Sequence, residues 1–212
     1  MQEIGQVRAG SASRAARGVS GGAEGNARLT AIAAAVLIVL LAIEGATIPF
    51  LRPLLSVHVF VGMLLLGPVA LKLASTGYRF VRFYTARREY VEKGPPTPLM
   101  RLIVAPVLVL STVTLFATGV ALIAIGPGRG AMLGLHKASF IVWFGAMSIH
   151  VLAYAGRAAR DAVADWGRHR PGGSGLRVAV VLVALAVGLV VAFVTLPLAD
   201  PWAHWAALRI DR

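Results

Sequence analysis

Val178–Leu196 reads VAVVLVALAVGLVVAFVTL. The run contains no charged residue, and its length is close to the ~20 residues an α-helix needs to cross ~30 Å of hydrocarbon. An amphipathic helix of a soluble domain would carry a polar face, and this one has none. Working outward, four more apolar runs precede it: Thr30–Phe50, Leu54–Ser75, Leu102–Ile125 and Leu135–Gly156. In hydrocarbon every backbone polar group must be satisfied within its own segment, so each run is expected to be a helix. Composition agrees: 58% of the 212 residues are hydrophobic and the mean hydropathy is +0.76. Soluble domains sit near 45–50% apolar. The expected fold class is an all-α membrane protein with five transmembrane helices. Residues 1–28, rich in Gly, Ala, Ser and Arg, are expected to be a disordered tail, 29–197 the membrane domain, and 198–212 an interfacial tail carrying Trp202 and Trp205.

The formal net charge of +12 suggests nucleic acid at first sight. Its distribution gives a different reading. Fifteen Lys and Arg residues precede the first run, join the second to the third, or join the fourth to the fifth. Five (Arg52, Arg129, Lys137, Arg209 and Arg212) lie on the opposite side. That asymmetry predicts a cytoplasmic N-terminus, an external C-terminus and residence in the inner (plasma) membrane, with no nucleic-acid partner. It also makes the second and fourth helices run in the same direction, from outside to inside. Tyr78–Tyr90 (YRFVRFYTARREY) reads as an interfacial extension of the second helix, broken by Gly94-Pro95-Pro96. The absence of cysteine excludes disulfides, iron–sulfur clusters, thiolate zinc sites and covalent haem attachment. Gly-rich dinucleotide fingerprints are also missing from the chain.

Ionisable residues inside a span are costly, so each is a functional candidate. His58 and Lys72 are 14 residues apart on the second helix, and His136 and His150 are 14 apart on the fourth. Fourteen residues at about 100° each fall about 40° short of four turns. Each pair therefore shares a helix face, about 21 Å apart along the axis. His58 and His136 are expected at one depth near the external side, Lys72 and His150 at another near the cytoplasmic side. Two neutral imidazoles on different helices can bind a haem iron from both axial positions.

Paired histidines 13 or 14 apart on second and fourth helices mark the membrane di-haem b-type cytochromes. The segments VHVF (Val57–Phe60), LKLASTGYRF (Leu71–Phe80) and LHKASFIVWFGAMSIHV (Leu135–Val151) resemble small bacterial membrane cytochrome b proteins. The resemblance implies a four-helix haem-binding bundle plus one extra helix and one or two haem b groups. His58 and His136 would ligate the external haem and His150 the internal one. The family pattern places a histidine where this chain has Lys72. A neutral Lys72 is one candidate ligand there, and Met147 is a rival. Alternatively Lys72 stays charged and reaches the headgroups or a propionate. Pro68, between the two layers, can kink the helix.

Other residues are weighed against plainer roles. Trp143, with Phe140, can pack between macrocycles or simply fill the core. Gly62, one turn past His58, can admit a porphyrin or serve helix packing. Arg52, Arg79, Arg101, Arg129 and Lys137 can pair with propionates or act only as topological charges. Glu44, the one acidic residue within a span, can take a quinol proton or bond a neighbouring helix. His169 and His204 are expected to be solvated. The function expected is an electron-transfer subunit of an oxidoreductase, not a complete enzyme, relaying electrons between a quinone pool and a separate redox protein. Homo- or hetero-oligomers are compatible with it. The alternatives are a ferric-reductase-like subunit with a flavin partner, or a haem-free transporter or anchor.

Overall fold

The computed structural model describes residues 22–92, 94, 97–128, 130–165 and 174–207. Among them there is no strand. Five helices, α1 (Gly22–Thr47), α2 (Leu55–Tyr84), α3 (Ala105–Ile125), α4 (Gly130–Asp165) and α5 (Ser174–Thr195), are long and apolar enough to cross a membrane. A short α6 (Asp200–Ala207) follows. A π-helical turn, Met100–Val104, leads into α3. Its widening precedes Pro106, which has no N–H to return to the Leu102 carbonyl. The α3–α4 connection turns on Gly126 and Gly128, whose φ values of 72° and 110° only glycine adopts without strain. Arg129 lies outside the described residues.

The surface and the interior exchange their usual character. Leu152, Val194, Ile141 and Leu110 are each at least two-thirds exposed. The buried positions include Ala33, Ala192, Ala199, Ser111, Thr112, Thr118 and Ser139. Lipid tails are as apolar as leucine, so leucine gains nothing by facing inward, whereas small residues let helices approach. The hydroxyls that hydrocarbon would strand turn back onto their own helices: Thr112 donates to the Leu108 carbonyl at 2.6 Å and Thr195 to Val191 at 2.7 Å.

Helix α2 is central, packing on α1, α5 and, less extensively, α3; α3 and α4 form a hairpin. The α2–α5 crossing is the tightest. A Cβ on Gly67 would strike the Ala184 carbonyl oxygen, and one on Gly188 would strike the Leu64 carbonyl oxygen. Pro68, buried in α2, lacks the N–H that would bond Leu64. The carbonyl it frees is the one that Gly188 approaches, as a Cα–H···O contact would require. Pro68 therefore serves a helix contact.

The ends differ from the sequence expectation. Helix α1 starts at Gly22, six residues before the expected boundary at Arg28. The Ala23 N–H donates to Glu89 Oε2 at 3.3 Å, Arg28 pairs with Glu24 at 3.0 Å, and Asn26 Nδ2 donates to the Ser75 carbonyl at 3.0 Å. Residues 1–21 and 208–212 lie outside the description. Trp202 belongs to the tail expected at the membrane interface. It is buried, and its indole N–H donates to the Leu122 carbonyl at 2.8 Å, locking α6 onto the end of α3. That carbonyl also accepts from Gly126. Trp202→Phe should therefore cost only about 1 kcal/mol, whereas Trp202→Ala should cost about 3–5 kcal/mol by emptying the site. Thermal unfolding of the two variants in detergent measures the difference.

Candidate functional site

Helices α2 and α4 carry the histidines and scarcely touch. The first is held by α1 and α5, the second by α3. His58 lies one turn into α2, on the face that continues through Val61, Leu65, Pro68, Lys72 and Ser75, all partly or fully buried. His136 heads the corresponding face of α4: Ser139, Phe140, Trp143, Ala146, Met147 and His150. His136 lies in the neighbourhood of His58, and His150 in that of Lys72. Each α4 histidine thus has one member of the α2 pair as a neighbour.

The His58 ring is fixed by α1. Its Nδ1 lies 2.9 Å from Glu44 Oε1 and 2.9 Å from Thr47 Oγ1. The Thr47 hydroxyl has one proton and donates it to the Glu44 carbonyl at 2.6 Å. Toward His58 it only accepts, as does an ionised carboxylate. Nδ1 must therefore carry the ring proton. In the neutral ring the lone pair then sits on Nε2.

The His136 ring is fixed by α3 in the same way. Its Nδ1 is 3.0 Å from Thr118 Oγ1. That hydroxyl donates to its own helix, 2.7 Å from the Thr114 carbonyl and 3.0 Å from that of Leu115. It accepts from His136. Gly119 seats the ring: a Cβ there would stand 3.3 Å from His136 Cε1. Both imidazoles are thus held by Nδ1–H and left with a ligand-ready Nε2, the arrangement that outer partners impose on metal-binding histidines.

The other layer is built differently. Lys72 Nζ donates to the Thr30 carbonyl on α1 at 3.0 Å. Around it Thr30 bonds Ser75 at 3.0 Å, and Ser75 donates to the Lys72 carbonyl at 3.1 Å. The His150 ring lies 4.9 Å, centroid to centroid, from Tyr154. Trp143, between the layers on α4, is buried and stacked on Phe140 at 6.2 Å.

The remaining sequence candidates scatter. Gly62 faces Glu44, whose Oε1 would stand 3.4 Å from a Cβ at that position. Lys137 is exposed, as are Arg52, Arg79 and His204. Arg101, in the π-turn, is half-buried, with its Nε buried and without a hydrogen-bond partner. Arg129 and His169 lie outside the described residues. Thr47, Thr118 and Gly119 were not singled out from sequence. A hydroxyl residue at matching depth on the preceding helix is their only sequence signal, and hydroxyl residues are common in membrane helices.

Among the described residues no three His, Asp or Glu side chains converge as a metal site. The donor set offered is a pair of imidazoles. No protein-family description, curated protein or solved structure matches the chain.

Proposed function

We propose that the chain is a membrane b-type cytochrome, an electron-transfer subunit in which His58 and His136 would hold one haem b. The observation that carries the reading is the pair of locked tautomers: two rings, on helices that scarcely touch, each with Nδ1–H committed and Nε2 left as the donor. A haem so held would supply one-electron transfer. The chain's own residues orient the two rings through Thr47, Glu44 and Thr118. Trp143 and Phe140 pack the space beside them. A quinone pool and a separate redox protein are the proposed electron partners, because the chain has no dinucleotide fingerprint of its own. The charge asymmetry supports an inner-membrane orientation with the N-terminus cytoplasmic and His58 and His136 toward the outside.

One haem is favoured over two, because Lys72 directs its Nζ at Thr30. The testing experiment is a reduced-minus-oxidised spectrum of the purified protein with a pyridine haemochrome count. The expected result is a b-type spectrum with one haem per chain. A colourless protein would leave the transporter or anchor reading in its place. Lys72→Ala should keep that stoichiometry and the low-spin signal, and should lower thermal stability by about 1–3 kcal/mol through the lost charged hydrogen bond. Loss of a haem in that variant would instead establish Lys72 as a ligand.

A further inference from the structure

The two facing imidazoles are supported unequally. His136 bonds a neutral group, the Thr118 hydroxyl. His58 bonds Glu44. The carboxylate is largely buried, with 15% of its side-chain surface exposed, and Gly62 leaves it room to approach. Its second oxygen, Oε2, is buried and has no hydrogen-bond partner. No Arg or Lys pairs with Glu44 among the described residues, so its bond to His58 is not shared with a cation. Thr47 contributes an acceptor to the same N–H and fixes the stretch of α1 that carries Glu44.

We propose that Glu44 is a positioning residue whose carboxylate makes His58 the stronger donor of the pair and biases the bound iron toward its oxidised state. The inference rests on the haem reading above. A carboxylate behind a ligating imidazole raises the basicity of the opposite nitrogen. A negative charge near the iron also favours ferric over ferrous, and in a low-dielectric interior the effect is large. Thr118 has no charge to lend, so the asymmetry belongs to the His58 side.

The experiment is a redox titration of the purified full-length holoprotein against Glu44→Gln and Thr118→Val. Glutamine keeps the shape and an accepting oxygen but removes the charge. The expected result is a rise in the reduced-to-oxidised ratio of about tenfold at fixed potential, or about 59 mV for one electron, with haem content and low-spin spectrum kept. Thr118→Val should shift the potential much less. An unchanged potential in haem-replete Glu44→Gln overturns the proposal while leaving the cytochrome reading intact; a parent protein without haem overturns both. If Glu44→Gln does not accumulate, Glu44→Asp keeps the charge and withdraws it by one methylene. A smaller rise is expected there, and a potential at or below the parent's overturns the proposal.

Discussion

Replacing His58 or His136 with alanine is expected to reduce haem content by at least about tenfold, the usual scale for disturbing a metal-ligand shell, while the protein still inserts in the membrane. Insertion depends on the hydropathy of five spans, which one histidine hardly changes. On the haem reading proposed above, retention would depend on an Nε2 that alanine lacks. The two substitutions should be nearly equivalent, because each ring is one of two donors and is held by its own neighbour, α1 for His58 and α3 for His136. A glycine variant adds a sharper test. His58→Gly leaves Glu44 Oε1 and Thr47 Oγ1 facing a vacated ring site, so millimolar imidazole should restore part of the haem signal. His204→Ala, at an exposed position in α6, should change nothing. Haem stoichiometry by pyridine haemochrome, with membrane fractionation as the control, reads all four. Full haem in both alanine variants would remove His58 and His136 from the site.

Leucine at Gly67 or Gly188 is expected to have the largest effect on stability, about 3 kcal/mol or more. The neighbour at each position is backbone: the Ala184 carbonyl beside Gly67 and the Leu64 carbonyl beside Gly188. A flexible side chain could swing aside, but a helical carbonyl moves only with its helix. Separating α2 from α5 would also strand the Leu64 carbonyl that Pro68 leaves without an N–H. Even alanine should be poorly tolerated at both sites. Gly145 is the contrast, since nothing lies within 4 Å of a Cβ built there. Gly145→Ala should be neutral or stabilising by up to about 1 kcal/mol through helix propensity. Thermal unfolding in detergent separates the two classes, and equal tolerance at Gly67 and Gly145 would refute the tight crossing.

The amino-acid sequence by itself determined the five membrane-spanning helices, because their signal is local. A run such as Val178–Leu196 carries its length and its lack of charge in consecutive residues. The shared face of His58 with Lys72 on α2, and of His136 with His150 on α4, was also legible, since helical periodicity converts a 14-residue spacing into a shared face. Local patterns do not report which helices touch. Only the tertiary structure decided that α2 crosses α5 at Gly67 and Gly188, that Trp202 turns inward onto Leu122, and that α1 begins at Gly22 under Glu89. The same limit applies to the site. Sequence named His58 and Glu44 separately. Their bond, and the matching bond of His136 to Thr118, exist because α1 packs on α2 and α3 on α4. A ring's tautomer follows from the groups that another helix brings to it, so the lone pair on Nε2 is a property of the packed bundle.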